Sequence, residues 1–260
     1  MKNRWRNCLI LFFILMFVGN TGVTVMQVKE FRQSEETKNR AEELVNLQIP
    51  DVQEQIDVES TSILADAMNE LDLKVLQKEN KDVVGWIMIP DTEISYPLLQ
   101  GEDNTYYLEH TWEHTKSRGG SIFLEQMCSK DLTDYNTIIY GHRMKNRSMF
   151  GSLAFYNDKE YLEAHPYIYL ADNQGCHIYE IYAVYETKTD GPVYQIEPFN
   201  DEMKKKFIEW TVQESVVDTG IVPELNERIL TLSTCTAGNN QEKRWIVQGV
   251  LRSMLSVKEK

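Results

Sequence analysis

Three side chains in this sequence could together carry out thiol acyl transfer: Cys235, His142 and Arg244. Cys235 closes the run Thr231-Leu232-Ser233-Thr234-Cys235, in which Leu230 and Leu232 can face one side while Thr231 and Ser233 face the other. Loop residues, Thr236-Ala237-Gly238-Asn239-Asn240, follow at once. A second apolar run, Asn136 to Tyr140, delivers His142 just after Gly141, and a third begins with Lys243 and Arg244 before Trp245-Ile246-Val247. A free thiol with a pKa of about 8.5 is mostly protonated at neutral pH, so the cysteine needs a proton acceptor. An imidazole suits that role, and a guanidinium offers a fixed fork of donors to a developing oxyanion. If Arg244 and Lys243 share a strand, they point to opposite faces.

The elements that must position these groups are short and β-rich. From Val83 onward the sequence predicts strands over Val83–Ile89, Ile94–Leu99, Ser121–Leu124, Thr137–Tyr140, Tyr167–Ala171, His177–Thr187, Ile229–Thr234 and Trp245–Leu251, a pattern of closed barrel or sandwich. One helical insertion interrupts them: Asn200 is a plausible N-cap, and Met203, Phe207, Trp210 and Val217 recur at near-helical intervals up to Gly220. A turn of helix is expected over Ser148–Tyr156. Upstream, Glu30 to Asn46 suits an exposed helix, Leu47 to Ser60 reads as linker, and Ser62 to Glu79 carries apolar residues at helical spacing.

With these pieces in order, the chain from about Leu71 onward resembles the sortases, membrane-anchored cysteine transpeptidases of Gram-positive bacteria, and within them class B. The resemblance rests on Asp82-Val83-Val84-Gly85-Trp86-Ile87, on Thr92 to Gln100, on Asn104-Thr105-Tyr106-Tyr107-Leu108 and on Gly120-Ser121-Ile122-Phe123. It continues through Tyr140-Gly141-His142, Met149 to Leu153, the cysteine strand and Arg244. It implies a mainly β fold, a closed sortase-type barrel with N-terminal helices and a long helix before the cysteine strand. It also implies catalytic roles for Cys235, His142 and Arg244, and a sorting-signal groove lined by Asn104, Leu108, Tyr194, Ile196, Ser233 and Thr234. The bland alternatives for the groove residues are a turn amide, core side chains, a strand hydroxyl and cross-strand packing. An acidic residue lies between the cysteine and arginine strands in some class B members; here that interval offers only Glu242.

Composition narrows the function further. The chain has 260 residues, 42% of them hydrophobic, enough for one sizeable domain plus an anchor. Its net charge of −13 argues against nucleic-acid partners, which need basic patches. Lys2, Arg4 and Arg6 precede an apolar stretch from Cys8 to Val28, long enough to span a bilayer. A cleaved signal peptide competes with an uncleaved anchor, and the lack of a convincing small-x-small site favours the anchor. Basic residues before the stretch keep the N-terminus cytoplasmic and send the rest outside, facing the cell wall. The organisation expected is an anchor over 1–28, a helix and linker over 29–60 and a catalytic domain over 61–257.

No metal or cofactor is expected. The four cysteines form no C-x-x-C pair, and His110 and His114 are four apart without an obvious third ligand. Cys128 and Cys176 read as two separate, partly buried thiols rather than a disulfide. His165 and His177 read as structural. The function expected is cleavage of a C-terminal sorting motif on secreted proteins through a thioester, with transfer to an amine of peptidoglycan precursor. Alternatives are a pilin polymerase that joins subunits through lysine isopeptide bonds and a non-enzymatic, membrane-tethered binding module. A papain-like protease is disfavoured because the histidine precedes the cysteine.

Overall fold

A computed structural model describes residues 32–33, 35–50, 58–196, 199–236 and 242–256. The expected anchor, residues 1–28, lies outside them. Among the described residues no helix is long and apolar enough to cross a membrane.

Eight strands close into a barrel: β1 (Val83–Met88), β2 (Ser95–Leu99), β3 (Ile122–Leu124), β4 (Asn136–Tyr140), β5 (Tyr167–Ala171), β6 (Gly175–Lys188), β7 (Ile229–Cys235) and β8 (Lys243–Ser256). The order around the barrel is β1-β2-β3-β4-β7-β8-β6-β5. Every expected strand exists, and the sheet is the barrel rather than the sandwich. Period-2 alternation sorts the side chains. Ile87, Leu98, Ile139, Leu230, Leu232, Val247, Tyr179 and Ile181 belong to one core, the barrel interior. The outward-facing apolar residues require cover, and two helical layers supply it.

On one flank, a helix over residues 35–44 (α1), α2 (Val58–Asn69) and α3 (Leu73–Glu79) bury Ala41, Leu64, Met68 and Leu76 against Trp86, Tyr169, Cys176 and Ile178. The single helix expected over Ser62–Glu79 is therefore two. The chain tightens at Glu70 and Leu71, whose amides bond back to Ala67 and Met68, and restarts after Asp72, so that both pieces lie on the barrel wall. On the other flank, the residues preceding β7 form α5 (Asp201–Glu214), after the short α4 (Lys159–Ala164). Asn200 caps α5 as expected, its side chain accepting from the Met203 amide. The helix ends at Glu214 and not at Gly220, because the Ser215 hydroxyl accepts from the Val184 amide and the Val216 amide donates to the Val184 carbonyl. Strand hydrogen bonds to β6 outcompete further helix there. Phe207 of α5 then packs with Tyr182, Tyr185, Ile229 and Ile246.

β6 and β8 both run longer than expected because they pair with each other from Gly175↔Ser256 to Lys188↔Lys243. The turn expected near Ser148–Tyr156 is a 3-10 helix over Gly151–Asn157.

Candidate active site

Strand direction brings the three candidate groups to one rim. β4 and β7 are neighbours and parallel, so their C-terminal ends, which carry His142 and Cys235, lie at the same edge. β8 is antiparallel to β7, so its first residues lie at that edge too. Cys235 pairs directly with Arg244. Cα atoms of such opposed residues lie about 4.5–5.5 Å apart, and their side chains project to the same face. Cys235 is exposed and Arg244 half-buried. Lys243 belongs to the other face, where its ammonium pairs with Glu186 at 3.1 Å.

His142 is held from two sides. Its Nε2 lies 2.7 Å from the Leu108 carbonyl oxygen. A carbonyl only accepts, so Nε2 carries a proton and Nδ1 is the nitrogen left for proton exchange. The His142 carbonyl accepts from the Phe150 amide at 2.9 Å, and the neighbouring Met149 amide donates to the Tyr96 hydroxyl at 3.1 Å. Two glycines make this possible. A Cβ on Gly141 would sit 2.5 Å from Ile122 Cδ1 and 2.8 Å from the Phe150 ring. Gly120, at φ +56°, would place one 2.6 Å from the very Leu108 oxygen that meets His142.

The expected groove residues divide into four groups. Ser233 and Tyr194 meet: their hydroxyls are 2.9 Å apart on the Cys235 face. Burial pushes the Tyr194 phenol up, opposed by the Ser233 hydrogen bond and the Arg244 charge, while Cys235 acts on it in the same sense as burial; Tyr194 thus lies within electrostatic reach of both. Ile196 follows it, half-buried against the barrel core. Leu108 takes part through its carbonyl. Thr234 is not brought to this face: alternation turns it away from Ser233 and Cys235, and its buried hydroxyl has no hydrogen-bond partner among the described residues.

Asn104 belongs to a hydrogen-bonded cluster around Glu125, a residue that local sequence pattern does not flag. Its Nδ2 donates to Glu125 Oε2 at 2.6 Å, and its Oδ1 accepts from the Gln126 amide at 2.9 Å. The Tyr140 hydroxyl donates to the same Glu125 oxygen at 2.8 Å. Tyr140 pairs with Ser233 across β4 and β7, and its ring stacks on Tyr194 at 6.3 Å between centroids. The only sequence signal for Glu125 was an acid directly after the apolar run Ile122–Leu124, where a solvent-facing turn residue would be the ordinary reading.

The other candidates do not join the site. His110 stacks on Tyr106, and His114 Nδ1 contacts the Tyr106 hydroxyl at 3.2 Å; among the described residues no group of side chains is set to hold a metal ion. Cys128 and Cys176 are buried free thiols, each pushed up to about 12, chiefly by burial. Glu242 is an exposed turn residue just before β8.

A family profile described as the sortase domain matches residues 87–252, more than half of the chain. The chain belongs to the sortase family. It is 42% identical over 198 residues to sortase B of Listeria monocytogenes, covering 75% of this chain and 79% of that protein. It is 33% identical over 172 residues to sortase B of Staphylococcus aureus, covering 66% and 70%. A solved Staphylococcus aureus sortase B–substrate complex superposes with a TM-score of 0.72 at 27% identity, over 88% of this chain and all of that one. This sortase is of class B and is a cysteine transpeptidase, which removes the non-enzymatic alternative.

Proposed function

We propose that this sortase cuts a sorting motif near the C-terminus of secreted proteins and joins them to an amine of peptidoglycan precursor. The observation that carries the reading is the direct Cys235↔Arg244 pairing on one face of the rim, with the His142 strand alongside β7. Proton transfer to His142 Nδ1 frees the Cys235 thiolate, which adds to the threonyl carbonyl of the motif. The guanidinium of Arg244, opposite the sulfur, donates to the oxyanion of that tetrahedral species. Collapse breaks the C–N bond, leaves a C–S thioester, and sends the imidazole proton to the departing amine. The incoming amine then reverses these roles: it attacks the thioester, gives up its proton, and the thiol leaves. Nε2 stays bonded to Leu108 throughout, so the ring keeps its orientation while Nδ1 changes protonation.

Ser233 and Tyr194, beside Cys235 on the same face, and Ile196 after them are assigned to the motif groove, together with Asn104 and the Leu108 segment. The Staphylococcus aureus neighbour in the substrate-complex structure is a relative with this architecture, which supports the assignment. Residues 1–28 are assigned to a single membrane crossing with the N-terminus inside, on the strength of Lys2, Arg4 and Arg6 before the apolar run. The domain from residue 61 to 257 then works outside the membrane, facing the wall.

Mass spectrometry of the chain mixed with a randomised peptide library that carries one fixed threonine tests the chemistry. The expected product is an adduct on Cys235 that ends at threonine and lacks the downstream fragment. An adduct on another residue, or one that survives Cys235→Ala, would reject the mechanism.

A further inference from the structure

Glu125 is a buried carboxylate, 8% exposed, whose hydrogen bonds come from neutral groups: Asn104 Nδ2, the Tyr140 hydroxyl and, at 3.3 Å, the Met127 amide. Burying a charge among neutral donors is costly, and a neutral glutamine of the same shape could fill the space. The backbone around it is firmly set. The Glu125 amide donates to the Ile138 carbonyl, and Gln100 Nε2 donates to the carbonyls of Glu125 and Cys128 at 2.9 and 2.7 Å. A rigid turn thus aims one carboxylate oxygen at two side chains.

A carboxylate has acceptors only, so both neighbours must turn a donor toward it. Tyr140 spends its proton on Glu125, so its oxygen has only lone pairs left to offer. Burial, followed by the Glu125 charge, raises its phenol pKa and keeps that proton in place. Asn104 has its flip settled at both ends, since Oδ1 takes the Gln126 N–H while Nδ2 serves Glu125. One amide N–H and one carbonyl lone pair remain. The outcome is a fixed donor beside a fixed acceptor, next to the strand pair Tyr140↔Ser233 that leads to Cys235. That polarity complements the C=O and N–H of an extended peptide backbone.

We propose that Glu125 is a positioning residue for specificity: it locks the hydrogen-bond polarity of Asn104 and Tyr140 so that they grip the backbone of the substrate peptide upstream of the cleaved bond. The inference rests on the peptide-cutting reading above and deepens it. Gln would not replace Glu here, because its amide can present either a donor or an acceptor and so releases both neighbours.

The test uses the full chain and the library peptide that acylates Cys235 best. Glu125→Gln should raise KM at least about tenfold with kcat within about threefold, and iodoacetamide should alkylate Cys235 at an unchanged rate. Glu125→Asp, which keeps the charge, should give a smaller rise and carries the test if the glutamine variant does not fold. Adding Glu125→Gln to Asn104→Ala should cost less than it does alone, as expected for groups acting as one unit. In a Cys235→Ala background, fluorescence polarisation should show the same peptide bound at least about tenfold more weakly after Glu125→Gln. Unchanged KM and unchanged binding overturn the proposal while leaving the Cys235 mechanism intact. A loss confined to kcat, with slowed alkylation, overturns it by placing Glu125 at the nucleophile instead. A Cys235→Ala chain that binds no library peptide removes both readings together.

Discussion

At one end of β8 a cysteine, a histidine and an arginine gather at the barrel rim; at the other, Cys176, His177 and Asp172 sit within a few residues of each other in the β5–β6 hairpin. Arg244 pairs with Cys235 at the first end and Leu255 with Cys176 at the second, roughly 35 Å apart at strand rise. The hairpin has a well-formed carboxylate–imidazole contact, with His177 Nε2 3.1 Å from Asp172 Oδ2 and both side chains almost fully buried. It nevertheless lacks a usable nucleophile. Alternation along β6 turns Cys176 out beneath α2 while His177 takes the opposite face, and burial pushes the Cys176 thiol up to about 12. Cys235 is exposed at a strand end and shares its face with its cross-strand partner. Residue types are therefore a weak guide to chemistry, whereas exposure and shared facing are strong ones.

The sharpest way to break this contrast is to exchange the two thiols for alanine. Cys235→Ala should lower motif cleavage by at least about a thousandfold, whereas Cys176→Ala should leave the rate per folded molecule within about twofold, as measured with a fluorogenic peptide. Equal losses would erase the distinction. Labelling supplies an independent measure. A polar alkylating reagent should modify Cys235 in the native protein and reach Cys128 and Cys176 only after denaturation, as read by peptide mapping. Native labelling of Cys176 would mean that the hairpin opens.

Arg244→Lys should cost about a hundredfold in kcat, and Lys243→Ala little, because the first removes a fork aimed at the oxyanion and the second an exposed ion pair on the other face. The reverse order would mean that the strand register is wrong. The smallest effect on activity, close to none per folded molecule, is expected for Asp172→Asn. It should instead lower stability by about 2 kcal/mol in denaturant titration, the scale of hydrogen bonds to a buried charged group. Burial raises the Asp172 carboxyl, but hydrogen bonds from His177 and from the Gln174 and Gly175 amides outweigh it and hold the group below its ordinary value. Its contribution should therefore be complete above about pH 4 and fade as pH falls through the lowered value, whereas the asparagine variant shows no such loss. A wild-type curve parallel to that of the variant in this range would show the pair to be inert.

Much of the architecture was legible in local pattern. Alternation located all eight strands, Asn200 announced the start of α5, and Gly141 before His142 marked a strand end. What local pattern missed had non-local causes. α5 stops at Glu214 because Val184, far away in sequence, offers its amide to Ser215 and its carbonyl to Val216. At the site, Leu108 also contributes a carbonyl to His142, an atom that every residue has and no motif can flag. The separation of Thr234 from Ser233, by contrast, is a period-2 property that the sequence already carries. Glu125 looked like an ordinary turn acid, since nothing near it in sequence names Asn104 or Tyr140 as partners.

The sequence by itself determined which residues could do chemistry and which elements end in them, because side-chain type and period-2 or helical spacing are local properties of the chain. Only the tertiary structure decided which strand ends share a rim, that Cys235 opposes Arg244, and that Glu125 holds Asn104 and Tyr140. Those relations depend on strand order, direction and register, which arise from packing between segments up to about a hundred residues apart.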